Sequence, residues 1–245
     1  MKYDPKEYWE IRLKNYPDLR GVGCVGFSET YNKYLYSLKV LALEKALNDY
    51  SIIVKGKLIL DVGCDTGFFV DYYRKKGAKK IVGIDIAETS ISLLRKKYPT
   101  YNFFIADISE VQFEEKFDIV NAFDVLYHIT HNNKFKKAID NISTACAEGG
   151  YILITDVFGK EDYMPAEHVH YRSLNTYQKL LYNHGIKIPG IIPMYYLMGR
   201  SIYLPAFLLN KLCRIFYLVD KILQSKKIPN GKNLKLLVGY KIENE

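Results

Sequence analysis

The residues with the most chemistry to offer form one loop, Asp61-Val62-Gly63-Cys64-Asp65-Thr66-Gly67, set between the apolar run Leu58-Ile59-Leu60 and the start Phe68-Phe69-Val70 of an expected helix. Gly63 and Gly67 permit positive φ and close approach of backbone to a ligand, and a helix beginning behind them offers free N–H donors. Such a loop suits a nucleotide-like ligand. A dinucleotide fingerprint needs Gly-x-Gly-x-x-Gly, but counted from Gly63 the next two glycine positions hold Asp65 and Phe68. Asp61 and Asp65 would repel a pyrophosphate, and they would attract a ligand that carries an ammonium and a sulfonium.

More acids recur downstream, each closing an apolar run. Asp85 ends Lys80-Ile81-Val82-Gly83-Ile84, 24 residues after Asp61 (85 − 61), where a carboxylate can accept both hydroxyls of a ribose. Asp107 ends Asn102-Phe103-Phe104-Ile105-Ala106, placed to accept from an adenine amino group. The run Phe117 to Ala122 leads through Phe123 and Asp124 to His128, and after Glu148-Gly149-Gly150 a further run from Tyr151 ends at Asp156. S-adenosylmethionine has the ammonium, sulfonium, ribose and adenine that these positions call for. Over roughly residues 55 to 157 the chain resembles the class I S-adenosylmethionine-dependent methyltransferases. The resemblance implies that Asp61, Gly63 and Gly67 cradle the methionine part, that Asp85 holds the ribose, that Asp107 meets the adenine edge, and that Phe123 and Asp124 line the far side. Cys64, Asp65, Ile86 and Ile108 stand beside them in the implied cofactor set. Asp65 departs from the family, which usually has glycine there; the acid stiffens the loop and can face the cofactor's ammonium.

Methyl transfer is an in-line displacement, so alignment matters most and no covalent residue is required. A hydroxyl acceptor benefits from a general base, and histidine is matched to that work near neutral pH. His128, just beyond the fourth strand, is the catalytic candidate; His131, in the polar turn His131-Asn132-Asn133, reads as solvated. His168-Val169-His170-Tyr171-Arg172 supplies the substrate-binding candidates His168, His170 and Arg172, since residues two apart in extended chain point the same way. His168 and His170 with Asp156 make too few ligands for a divalent metal, and none is expected.

These residues need a scaffold, and 245 residues with 49% hydrophobic content can bury a sizeable core. Ser28 is a candidate N-cap for a helix from Glu29 to Tyr50 with Tyr31, Leu35, Leu38, Ala42 and Ala46 on one face. Helices over Phe68 to Lys76 and Thr89 to Tyr98 then alternate with strands, stopped by Gly77 and Pro99. Residues 158 to 172 read as a polar link, followed by a helix from Ser173 to Asn183. The expected fold is α/β: a doubly wound, mostly parallel seven-stranded sheet whose last strand, near Leu234 to Tyr240, pairs antiparallel with one near Ile186 to Ile192. Residues 1–50 are expected to form an N-terminal helical lid or cap, and 51–245 the S-adenosylmethionine-binding domain with a helical insertion over about 199–230.

Charge narrows the partners. The formal net charge is +8, yet residues 186–245 hold ten Lys or Arg against three acids, a net +7, leaving +1 for residues 1–185. The catalytic body therefore lacks a basic footprint, and nucleic acid is not the expected partner. No Pro-Pro-Tyr-type motif follows the fourth strand and no cysteine nucleophile stands there, which argues against base methylation. From Ala206 to Leu223 the apolar residues Leu208, Leu212, Ile215, Val219 and Ile222 recur at intervals of four and three among Lys211, Arg214 and Lys221. This helix reads as packing on the body, pairing with a second copy in a homodimer, or lying on an anionic membrane. Cys24, Cys64, Cys146 and Cys213 form no C-x-x-C pair and suggest a reducing compartment. No secretory pattern opens the chain, so the expected location is cytoplasmic, or peripheral to the inner membrane face. The expected activity is methyl transfer to a hydroxyl or amine of a small metabolite, sugar or glycan. An RNA methyltransferase, resting on charge alone, and a non-catalytic interaction module of the same fold are the alternatives.

Overall fold

The computed structural model describes residues 3–199, 204–226 and 231–243. Asp4 accepts from the Glu7 amide at 2.8 Å and, with Pro5 at the first position, starts α1 (Pro5–Asn15). A short α2 (Leu19–Val22) follows, and Ser28 caps α3 (Glu29–Asp49) by accepting from the Tyr31 amide at 3.1 Å. Strands and helices then alternate: β1 (Leu58–Val62), α4 (Phe68–Lys75), β2 (Lys80–Asp85), α5 (Glu88–Lys97), β3 (Asn102–Ile105), β4 (Phe117–Ala122), α6 (Asn132–Ala145) and β5 (Cys146–Asp156). A hairpin of β6 (Tyr163–Ala166) and β7 (Val169–Tyr171) leads into α7 (Leu174–Tyr182), β8 (Ile186–Pro193), α8 (Ala206–Ser225) and β9 (Lys235–Lys241). The stretch expected to be a polar link is thus a hairpin, with Val169 buried beneath it.

The seven-stranded sheet runs β3-β2-β1-β4-β5-β9-β8. Strands β1 to β5 pair in parallel, and β9 is antiparallel to both neighbours, as the sequence implied. Strand order reverses between β1 and β4, and a crevice opens there at the carboxyl ends of the strands. One core layer joins the sheet to α3, α4 and α5 through Leu35, Leu38, Val70, Ile91 and Leu94; the other joins it to α6 and α7 through Ile139, Ile142, Tyr177 and Leu181.

Helix α8 packs along α3, but not by the expected stripe. Its buried line is Leu209, Cys213, Asp220 and Gln224, whereas Ile215 and Ile222 are exposed. The Asp220 carboxylate accepts the Leu197 and Met198 amides at 2.7 and 2.9 Å, and Gln224 donates to the carbonyls of Leu38, at 3.1 Å, and Met194. Polar residues face inward because they satisfy backbone groups of an irregular segment that no strand pairs with. Of the insertion expected over about 199–230, residues 200–203 and 227–230 lie outside the described residues. Among the described residues no helix is long and apolar enough to cross a membrane.

Candidate functional site

The loop between β1 and α4 is knit to β2 before any ligand is considered: the amides of Gly63 and Cys64 donate to the Ile84 carbonyl at 2.8 and 3.0 Å. Gly63 has φ +70° and packs so tightly that a Cβ would sit 2.2 Å from a Val125 methyl, which leaves glycine as the only fit. Asp65 also takes positive φ, +43°, a conformation that Asp tolerates better than most residues. Its amide donates to Asp85 Oδ2 at 3.0 Å, while Asp85 Oδ1 accepts the Ala87 amide at 2.9 Å. One carboxylate therefore ties the first loop to the turn that starts α5.

Above this frame is a cavity of about 400 Å³, walled by Gly63, Asp65, Asp85, Ile86, Asp107, Ile108, Phe123, Asp124 and His128. Nine of the sequence candidates converge on it from four strand ends. Tyr3, Pro5, Trp9 and Leu13, from α1 and the residues before it, also border it, as do Val22 and Tyr36. Glu10 on α1 accepts from the Thr89 hydroxyl and amide at 2.5 and 3.2 Å, fastening this segment to the first turn of α5. His131, expected to be merely solvated, reaches the cavity wall as well.

The electrostatics are lopsided. Burial pushes Asp65 up to about 7, and it raises Asp85, with the two acids adding to each other in Asp65's case. Asp61 is raised further, to about 8, chiefly by burial. It does not line the cavity: it lies beneath the loop, where Asn121 donates to it at 2.5 Å and Tyr73 donates to Asn121 at 3.0 Å. Cys64 and Gly67 also lie off the cavity; Cys64 is buried and Gly67, at φ +77°, begins α4. These three lie behind the cavity wall and hold the loop's shape. Burial acts on Asp107 too, but bonds from Ser109 (2.8 and 2.7 Å) and Lys134 (3.0 Å) outweigh it and hold the acid below the usual range.

Asp124 is held ionised by a partner that sequence reasoning missed. Burial raises it, but the ammonium of Lys39, on α3, pairs with it and lowers it below the usual range. Lys39 is 3% exposed and sits 4.0 Å from the centre of the Tyr36 ring. A signal existed: Lys39 falls four residues after Leu35 and three before Ala42, inside the buried stripe of its helix.

His128 is partly buried in the cavity wall, and this desolvation lowers its pKa to about 4. Its Nδ1 lies 2.7 Å from the His168 carbonyl oxygen, which can only accept; Nδ1 therefore carries the proton and Nε2 keeps a lone pair. Trp9 meets the ring edge-on at 4.9 Å, and His168 stacks behind it at 5.9 Å and 9°. The expected substrate residues thus act differently. His168 and His170 do not line the cavity: His168 backs His128, and His170 Nδ1 donates to the Thr130 carbonyl at 3.2 Å. Arg172 is 1% exposed, and its guanidinium donates to the carbonyls of His170, Ile129 and Thr130 and to Asn132 Oδ1, at 2.7 to 3.3 Å. It clamps the segment that carries His128 and does not line the cavity. Asp156 accepts from Tyr177 at 2.8 Å and from the Val157 amide at 2.6 Å, away from His168, and the described residues hold no metal-ligand cluster.

Comparison with known proteins agrees with the fold. A methyltransferase-domain family matches residues 31–188, more than half of the 245. A mitochondrial ubiquinone biosynthesis O-methyltransferase of Dictyostelium discoideum is 24% identical over 49% of this chain and 41% of its own. An mRNA cap guanine-N(7) methyltransferase of Schizosaccharomyces pombe is 27% identical over 51% and 37%. This chain thus spans less than half the length of these curated relatives. The crystal structure of magnesium protoporphyrin IX methyltransferase from Synechocystis PCC 6803, with S-adenosylmethionine bound, superposes with TM-score 0.63 at 14% identity, covering 96% of this chain and 94% of that one.

Proposed function

The chain belongs to the methyltransferase-domain family, class I members of which draw on S-adenosylmethionine, and we propose that it methylates a hydroxyl, or an amine, of a small metabolite or glycan. S-adenosylmethionine, when bound, supplies an electrophilic methyl on a sulfonium. The observation that carries the reading is the cavity at the strand-order reversal, where Asp65, Asp85, Asp107 and Asp124 meet the neutral His128. Lys39 pairs with Asp124 and Lys134 with Asp107, which leaves Asp65 and Asp85 as the acids without a cation partner, a fit for a ligand with an ammonium and a ribose. Asp85 and Asp65 would hold the ribose and ammonium, and Asp107 the adenine edge. Trp9 and Leu13 would exclude water as a lid over the site.

His128 is arranged to take a proton at Nε2. With its pKa at about 4 the neutral ring is the populated form throughout the physiological range, and the His168 carbonyl fixes the tautomer. An RNA acceptor has less support, because the net positive charge lies after residue 185, +7 there against +1 for residues 1–185. Calorimetry and a turnover assay test the reading together. Asp85→Ala should weaken S-adenosylmethionine binding by roughly 1.5–3 kcal/mol, and His128→Ala should lower turnover about 10²–10⁴-fold with binding intact. Binding of NAD in its place, or an unchanged affinity in folded Asp85→Ala, would overturn the cofactor assignment; full activity of His128→Ala would remove the base.

A further inference from the structure

Helix α8 presents a second face that the fold does not use. Its inner line, Leu209, Cys213, Asp220 and Gln224, is buried against α3 and the segment before the helix. At 100° per residue the opposite side carries Phe207, Lys211, Arg214, Ile215, Leu218, Lys221 and Ile222 within an arc of roughly 120°. All seven are exposed, and the four apolar ones are 72, 55, 50 and 56% accessible in chain order. The helix's only acid, Asp220, points inward and accepts two backbone amides.

We infer that this outer face docks on an anionic lipid surface, with Phe207, Leu218 and Ile222 entering the headgroup boundary and Lys211, Arg214 and Lys221 meeting lipid phosphates and carboxylates. The charge pattern chooses this occupant. A second copy placed on the face by a two-fold axis would bring six cations together with no acid to pair with them. A nucleic-acid backbone would match the cations but would leave the large apolar side chains at the middle of the contact without a partner. An anionic bilayer satisfies both sets, because its charge lies in the plane just above its apolar layer. The inner face is independently fastened, so the helix can bind without leaving the body.

Sedimentation with vesicles of phosphatidylcholine alone, or with a third phosphatidylserine, tests this at about 50 and 500 mM salt. Wild-type protein should sediment with the anionic vesicles at low salt, less at high salt, and not with neutral ones. Each cation contributes a factor of about five in partitioning, so Lys211→Glu/Arg214→Glu/Lys221→Glu should weaken binding at least a hundredfold. Leu218→Ser/Ile222→Ser should also release the protein with little change in melting temperature, since both side chains are at least half exposed and neither belongs to the buried line of the helix. Wild-type protein left in the supernatant with anionic vesicles would overturn the inference, as would equal binding by the triple variant. A stable dimer split by Leu218→Ser/Ile222→Ser, without vesicle binding, would assign the face to a second copy instead.

Discussion

Asp65 should cost the protein stability in proportion to pH, and its replacement should show this directly. Buried beside Asp85, its carboxyl is pushed from 3.8 up to about 7, so the folded chain holds a proton that the unfolded chain releases. The stabilisation is complete below about pH 4 and is lost as pH rises through 7, at about 1.4 kcal/mol per pH unit, reaching about 4 kcal/mol above pH 7. Asp65→Asn removes the charge, tolerates φ +43°, and keeps an oxygen to accept from Thr66. Asp61 and Asp85 also protonate as pH falls, so part of the relief is shared. A gain of about 2–4 kcal/mol at pH 8 is expected, or roughly 5–15 °C in Tm for a chain of this size. Thermal unfolding of both proteins from pH 5 to pH 8 measures it, and the difference should grow with pH. The same substitution should weaken S-adenosylmethionine binding about ten- to hundredfold, because the lost charge is the one available to an ammonium. A variant no more stable than wild type at pH 8, or one whose advantage is the same at pH 5, would refute the argument that burial and Asp85 set this carboxyl.

Two further substitutions probe the supports behind the cavity. Arg172→Met strips the His170 and Ile129 carbonyls and Asn132 Oδ1 of this donor at once and should cost at least about 3 kcal/mol, lowering Tm by roughly 6–12 °C; a change under 2 °C would show that the clamp is dispensable. Lys39→Met leaves Asp124 buried without its cation and should cost about 3–5 kcal/mol, whereas Lys39→Met/Asp124→Asn should recover most of that loss. Additive losses in that double-mutant cycle would mean that the pair does not interact.

The parallel body was legible because local and global signals agreed along it. Ser28 caps where it was expected to, a helix begins behind Ser173, and strand ends carry the acids that wall the cavity. Roles within the site were less legible, since a strand-end acid reads the same whether its side chain meets a ligand or its own fold. Asp61 turned inward to Asn121, its partner across the β1–β4 pair, and Arg172 to three backbone carbonyls, contacts that residue type and spacing alone do not separate from a ligand-facing role.

Helix α8 shows why hydrophobic period alone misplaces a face. The period found Leu208, Leu212, Ile215, Val219 and Ile222, a line that runs along the flank between the buried and the exposed side. What orients the helix is polar: Asn210 accepts the Ser28 amide at 2.8 Å, Asp220 accepts two amides of the preceding segment, and Gln224 reaches the end of β8 and the middle of α3. The Leu197 and Met198 amides would otherwise be unsatisfied in the interior, a penalty of about 1–3 kcal/mol apiece. Moving Ile215 and Ile222 from water into the core would gain a similar amount per side chain, but the same rotation would draw Asp220 out of its bonds and strand the amides of Leu197 and Met198. The polar face wins, and the displaced apolar residues, with three cations among them, are left facing outward.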